Sequence, residues 1–133
     1  EKPESSFDRA RFKKLLSEFG GINGFVACSI FDPGGEEIVS YGTDPDSIAF
    51  RAASALTELF SYCSQATEVI GMNKAGELIL QTNHSTIIMD SLDTDAFGRY
   101  LLMLILDKKG NMALTKLALK KILPELRKEC EKS

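Results

Sequence analysis

A chain of 133 residues, 44% hydrophobic and 26% charged, has the make-up of one globular domain that can bury a core without staples. Its net charge of -3 gives no support to a nucleic-acid partner, which calls for a basic surface. The longest apolar run, Tyr100 to Leu106, is far too short to span a bilayer.

Residues 1–5 are polar and include Pro3, so a frayed lead-in is expected. Ser5 or Ser6 then caps a first helix with Asp8 in its first turn. Phe12, Leu15, Leu16 and Phe19 form its buried stripe, and Gly20-Gly21 stop it. Gly24 to Phe31 is apolar at nearly every position, which predicts a central strand covered on both faces. Asp32-Pro33-Gly34-Gly35 is a turn by composition, and Glu37 to Tyr41 pairs back as a second strand.

From about Asp46 to Gly71 the spacing predicts a long amphipathic helix of roughly 37 Å. Ile48, Ala52, Ala55, Leu56, Leu59, Cys63, Ala66 and Ile70 recur at three- and four-residue steps, within an arc of roughly 100° that suits one core-facing stripe. Asp44, Asp46 and Ser47 offer caps at its start and Gly71 a left-handed stop. Leu78 to Leu80 open a third strand, Asn83-His84-Ser85 turn the chain, and Thr86 to Met89 begin a fourth. Asp90 to Gly98 reads as the main surface loop. Arg99 to Leu106 is a fifth strand, again apolar and therefore central. A last helix beyond Asn111 turns Leu114, Leu117, Ala118, Ile122 and Leu126 inward, and Pro124 is expected to kink or restart it near Lys120 to Lys121. Its lysines read as a solvated outer face.

The fold class is therefore α+β, in the order αββαβββα. Strands one and two pair as a hairpin, as do three with four and four with five; with one and five as the central pair, this gives a five-stranded antiparallel sheet ordered 2-1-5-4-3. The long helix covers one face, and the first and last helices the other. The third strand is then an edge bearing Leu78, Ile79 and Leu80 with only Glu77 as a charge, poorly protected against pairing with another chain. The long helix carries a further apolar arc of Ala49, Phe50, Ala53 and Phe60. These side chains either pack over the chain's own sheet edge or meet a second copy. A two-fold dimer that joins both helices and both third strands satisfies the two exposed features together.

This order of elements resembles the roadblock/dynein-light-chain domain, found in regulators of Ras-like GTPases and in motor complexes. The resemblance runs from Phe7 to Leu126, and the expectation is one such domain over residues 1–133. It rests on Gly21-Ile22-Asn23-Gly24 before the first strand, Asp32 and Gly35 in the first turn, the alanine-rich stretch Ala49 to Leu59, and Ile70-Gly71 before the third strand. It implies homo- or heterodimers joined through the long helix and third strand, with the paired helices forming a platform for a small GTPase or motor subunit. The dimer interface would be Ala49, Phe50, Ala53, Phe60, Leu78, Ile79 and Leu80. Arg51, Ser54, Glu58, Ser61, Tyr62 and Gln65 would meet the partner.

No catalytic residue, cofactor or metal is expected. A Gly-x4-Gly-Lys-Ser/Thr loop is missing, so the chain does not read as a nucleotide hydrolase. One histidine, His84 at a hairpin tip, and scattered cysteines do not make a zinc site. Asp90, Asp93 and Asp95 lack the turn glycine and terminal glutamate of an EF-hand. Cys28, Cys63 and Cys130 are odd in number and widely spaced, which fits free thiols in a reducing compartment. The opening Glu-Lys-Pro-Glu-Ser-Ser lacks the apolar core of a signal peptide, so a cytoplasmic location is expected. Cys28 and Cys63 are expected inside and Cys130 outside. The expected function is a dimeric module that regulates or scaffolds a Ras-like small GTPase. The alternatives are a structural adaptor of a larger complex and a ligand-sensing domain of the profilin or PAS type. An enzyme is not expected, for want of a nucleophile-base pair.

Overall fold

The two most apolar runs become the two strands at the centre of a sheet, because only there can both faces of a strand leave water. They are β1 (Phe25–Phe31) and β5 (Leu101–Asp107), antiparallel neighbours with Cys28 opposite Leu104 and Ile30 opposite Leu102. The computed structural model describes residues 8–42, 52–73, 75–93 and 100–131. Within them the sheet is completed by β2 (Glu37–Gly42), β3 (Glu77–Gln81) and β4 (Ser85–Ser91). Its order is β2-β1-β5-β4-β3, the order expected from hairpin pairing.

Alternation along each strand sorts the core into two layers. Cys28, Ile30, Ile88, Leu102, Leu104 and Leu106 point to one face and are covered by α1 (Arg9–Leu16) and α3 (Met112–Glu131) through Phe12, Leu16, Leu119, Ile122 and Leu126. Ala27, Phe31, Met89, Leu101, Met103 and Ile105 point to the other, under α2 (Ala53–Val69). A 3-10 turn, Ser17–Gly21, follows α1 and buries Phe19.

Local chemistry explains the joints. Asp8 caps α1 by accepting from the Arg11 amide at 3.0 Å; it is the cap and not a first-turn residue, and Ser5 and Ser6 lie outside the described residues. The Asp32 carboxylate accepts from the amides of Gly34 and Glu36 at 2.9 and 3.0 Å, which closes the β1–β2 turn around Gly35 at φ +88. Gly24 has φ +86, and a Cβ there would stand 2.4 Å from the Gly110 backbone. The start of β1 and the lead into α3 touch main chain to main chain.

Three expectations are corrected. Leu114 and Leu117 are exposed on α3 rather than inward; Thr115, Leu119 and Cys130 take the buried stripe with Ile122 and Leu126. Cys130, expected outside, is wholly buried. α3 also runs unbroken through Pro124. Pro124 and Lys120 both lie on its exposed side, where water can serve the carbonyl that the missing N–H leaves unpaired.

Candidate partner-binding surface

α2 carries three stripes, and each meets something different. Ala53, Phe60 and Ser64 are buried, with Leu56 packed beside them against the β4 and β5 side chains. Ser64 lies inward because its hydroxyl accepts from the Ala75 amide at 3.0 Å, tying the lead into β3 to the helix. Ser54, Glu58, Ser61 and Gln65 form a second, exposed polar stripe. Ala55, Leu59, Tyr62, Ala66, Val69 and Ile70 form a third, apolar and exposed, with Tyr62 67%, Val69 84% and Ile70 69% accessible.

The phase of the helix is thus roughly a quarter turn from the one its periodicity suggested, at 100° per residue. Ala52, Ala55, Leu59, Ala66 and Ile70, expected in the core, face outward, and Cys63 is half-buried. Ala53 and Phe60, expected at a dimer interface, lie in this chain's own core at 4% and 0% exposure. Periodicity finds an apolar stripe, but it does not rank two adjoining ones. Here the bulk of Phe60 and the Ser64 hydrogen bond decide which side meets the sheet. Ala49, Phe50 and Arg51 lie outside the described residues.

The polar stripe borders an open groove of about 290 Å³ between α2 and the β1–β2 turn, lined by Pro33, Thr57, Phe60, Ser61 and Gln65 among others. A second, shallower recess of about 210 Å³ lies among Glu58, Ser61, Tyr62 and Gln65. The five described residues expected to meet a partner, Ser54, Glu58, Ser61, Tyr62 and Gln65, are all exposed on one continuous side of the helix.

Beyond the helix, β3 is the sheet edge. Leu78 and Leu80 are half-buried and Ile79 is 39% exposed. Its first residue carries chemistry that the sequence reading missed. Glu77 stands directly opposite Asp90 on β4, so two carboxylates share one cross-strand site. Asp90, expected in a surface loop, is 5% exposed. β4 runs on to Ser91 because Asp90 and Ser91 pair with Leu102 and Leu101 of β5. Lys116 of α3 forms an ion pair with Glu77, and Arg127 donates to the Ser91 carbonyl at 3.2 Å. Burial, then the hydrogen bond to Glu77 and its charge, push the Asp90 carboxyl up to about 7 against the pull of Lys116 and Arg127. Asp90 Oδ2 and Ser91 Oγ are buried with no hydrogen-bond partner among the described residues. The register Leu78–Met89 would have exposed the pair, had β4 been extended by one residue.

No cluster of three or more histidine, cysteine or acidic side chains suited to a metal occurs among the described residues. His84 is exposed at the β3–β4 tip. Burial raises the Cys28 thiol well beyond its ordinary range and, with Glu129 and Glu131 adding to it, pushes Cys130 up to about 12. Neither forms a thiolate readily.

The arrangement, one helix over one face of a 2-1-5-4-3 sheet and two over the other, is the roadblock/LC7 fold. The solved structures similar to it include MglB of Myxococcus xanthus, with a TM-score of 0.80 and 18% identity over 95% of this chain and 99% of that one. A second MglB structure, described as having a tetrameric arrangement, has a TM-score of 0.80 and 16% identity over 92% of this chain and 90% of that one. A roadblock/LC7 domain from Streptomyces avermitilis has a TM-score of 0.75 and 13% identity over 90% and 97%. No protein-family model matches the sequence and no curated protein does.

Proposed function

We propose that this chain is a dimeric protein-binding module that regulates or scaffolds a Ras-like small GTPase. The observation that carries it is the third stripe of α2. Leu59, Tyr62, Val69 and Ile70 are large apolar side chains left exposed on one helix side, and β3 is the last strand of the sheet, with no strand beyond it among the described residues. Contiguous apolar surface of this kind marks an interaction site, and an unprotected edge invites a second strand.

The roadblock/LC7 fold supports the reading, and the tetrameric arrangement of one similar MglB structure supports association of copies. In this reading the interface uses Ala55, Leu59, Ala66 and Ile70 with Ile79 of β3. Ala53 and Phe60 act only from within. The polar stripe Ser54, Glu58, Ser61 and Gln65, with Tyr62 at its border, stays outward and receives the GTPase.

The test is gel filtration with light scattering of the full chain with a candidate Ras-like GTPase, loaded with GDP or with a non-hydrolysable GTP analogue. Co-elution in one nucleotide state supports the proposal, and a folded dimer that binds in neither state contradicts it. Binding that leaves GTP turnover unchanged at saturation points to the scaffold role.

A further inference from the structure

The sheet divides the charge of the molecule unequally. Residues 8–21 and 107–131, which supply α1, α3 and their flanking turns, hold eleven of the sixteen lysines and arginines but six of the nineteen acidic residues. Residues 22–106, which supply the sheet and α2, hold three basic and eleven acidic residues. A net charge of -3 thus hides a basic helical layer on one face of an acidic slab.

The two kinds of cation in that layer have separate roles. Its arginines are engaged within the chain: Arg9 donates to the Ile38 carbonyl at 3.0 Å, Arg11 lies 3.8 and 3.6 Å from Glu125 and Glu129, and Arg127 donates to Ser91. Apart from Arg9, which is exposed but bonded to Ile38, the exposed cations of the layer are lysines, Lys13, Lys14, Lys108, Lys109, Lys120 and Lys121 among them. Amid these lysines α3 presents Leu114 and Leu117, 50% and 64% exposed and three residues apart.

We infer that the outer face of α3, with Lys108, Lys109, Lys120 and Lys121 around Leu114 and Leu117, docks on an anionic phospholipid surface. Lysine is a compact charge on a flexible stem and suits a diffuse negative field. A matched acidic protein surface would more readily employ the planar fork of arginine, and the three arginines of this layer, Arg9, Arg11 and Arg127, are tied to the chain's own carbonyls and carboxylates. Two leucines among lysines are the make-up of a helix that lies in the headgroup region. None of the described helices is long and apolar enough to cross a membrane, so the contact is peripheral. The ion pairs Lys121–Glu18 and Lys128–Glu125, both at 3.6 Å, are exposed and do not remove these charges from play.

The experiment is co-sedimentation of the full chain with phosphatidylcholine vesicles, with and without about one third phosphatidylglycerol. The expected result is binding to the anionic vesicles alone, released by salt as screening shortens to a few ångströms at about 1 M. Each lysine neutralised in K120Q/K121Q should weaken it about fivefold. L114S/L117S should weaken it as well, with an unchanged melting curve, because all four side chains are exposed. The same variants should leave GTPase co-elution intact, since that is assigned to α2 across the sheet. Failure to sediment with anionic vesicles at low salt, or equal binding to neutral ones, overturns the inference. So does self-association without vesicles that K120Q/K121Q abolishes, which would assign the face to the acidic side of a second copy.

Discussion

Asp90 is a buried carboxyl facing a second carboxyl, and that makes stability depend on pH. Its folded value near 7 lies above the ordinary 3.8, so between roughly pH 4 and 7 the folded chain keeps a proton that the unfolded chain gives up. The group's contribution is therefore most favourable at acid pH and is lost as the pH rises through 7. With each tenfold change in proton affinity worth about 1.4 kcal/mol, Asp90→Asn should stabilise the chain at pH 8 by on the order of 2 kcal/mol. It should gain little at pH 4. Urea melts at the two pH values check this, and an equal effect at both would show that Asp90 does not titrate in the folded state. The residue was hidden in the sequence because Asp90, Asp93 and Asp95 together look like a polar loop. Only the pairing of Asp90 with Leu102 draws it into the sheet.

At the scale of elements, the strands were legible and the phase of one helix was not. An apolar run such as Tyr100 to Leu106 has few solutions in water, and three consecutive pairings around a central first and fifth strand leave one order for the sheet. α2 has apolar residues on more than half its circumference, so hydrophobicity alone admitted two phases. Burial of Phe60 and the Ser64–Ala75 hydrogen bond depend on contacts far apart in sequence. Adjacent residues should consequently behave in opposite ways. Phe60→Ala should cost about 3–5 kcal/mol of stability, the usual range for a buried phenylalanine. Leu59→Glu should change the stability of the isolated protomer by no more than about 0.5 kcal/mol and act on association instead. Chemical denaturation at low protein concentration separates the two, and similar losses for both would restore the phase read from periodicity. Ala53→Glu should unfold the protomer, since Ala53 is 4% exposed on the sheet-facing side of α2. On β3, Ile79→Lys should leave the fold intact and weaken pairing of the edge with another strand, read as a lower mass in solution at a given concentration.

The whole molecule is a sheet with two unlike outer sides. α2 and β3 offer apolar surface and a sheet edge, while α1 and α3 offer lysines over a core that is already closed by Phe12, Leu119, Ile122 and Leu126. The fold was readable because strand order follows from chain order and hairpins. Which side of α2 lies outward was readable only in part. Ser54, Glu58, Ser61, Tyr62 and Gln65 were placed outward correctly, whereas Ala53 and Phe60 were assigned to the wrong side of the same helix. A small error in helical phase exchanges core for interface while leaving the topology untouched. The most direct test is therefore the mass of the chain by light scattering at micromolar concentration, for the unaltered protein and for Leu59→Glu. The expected result is twice the 14.6 kDa chain mass for the first and the single mass for the second, with both fully folded. A single mass for the unaltered chain would contradict it.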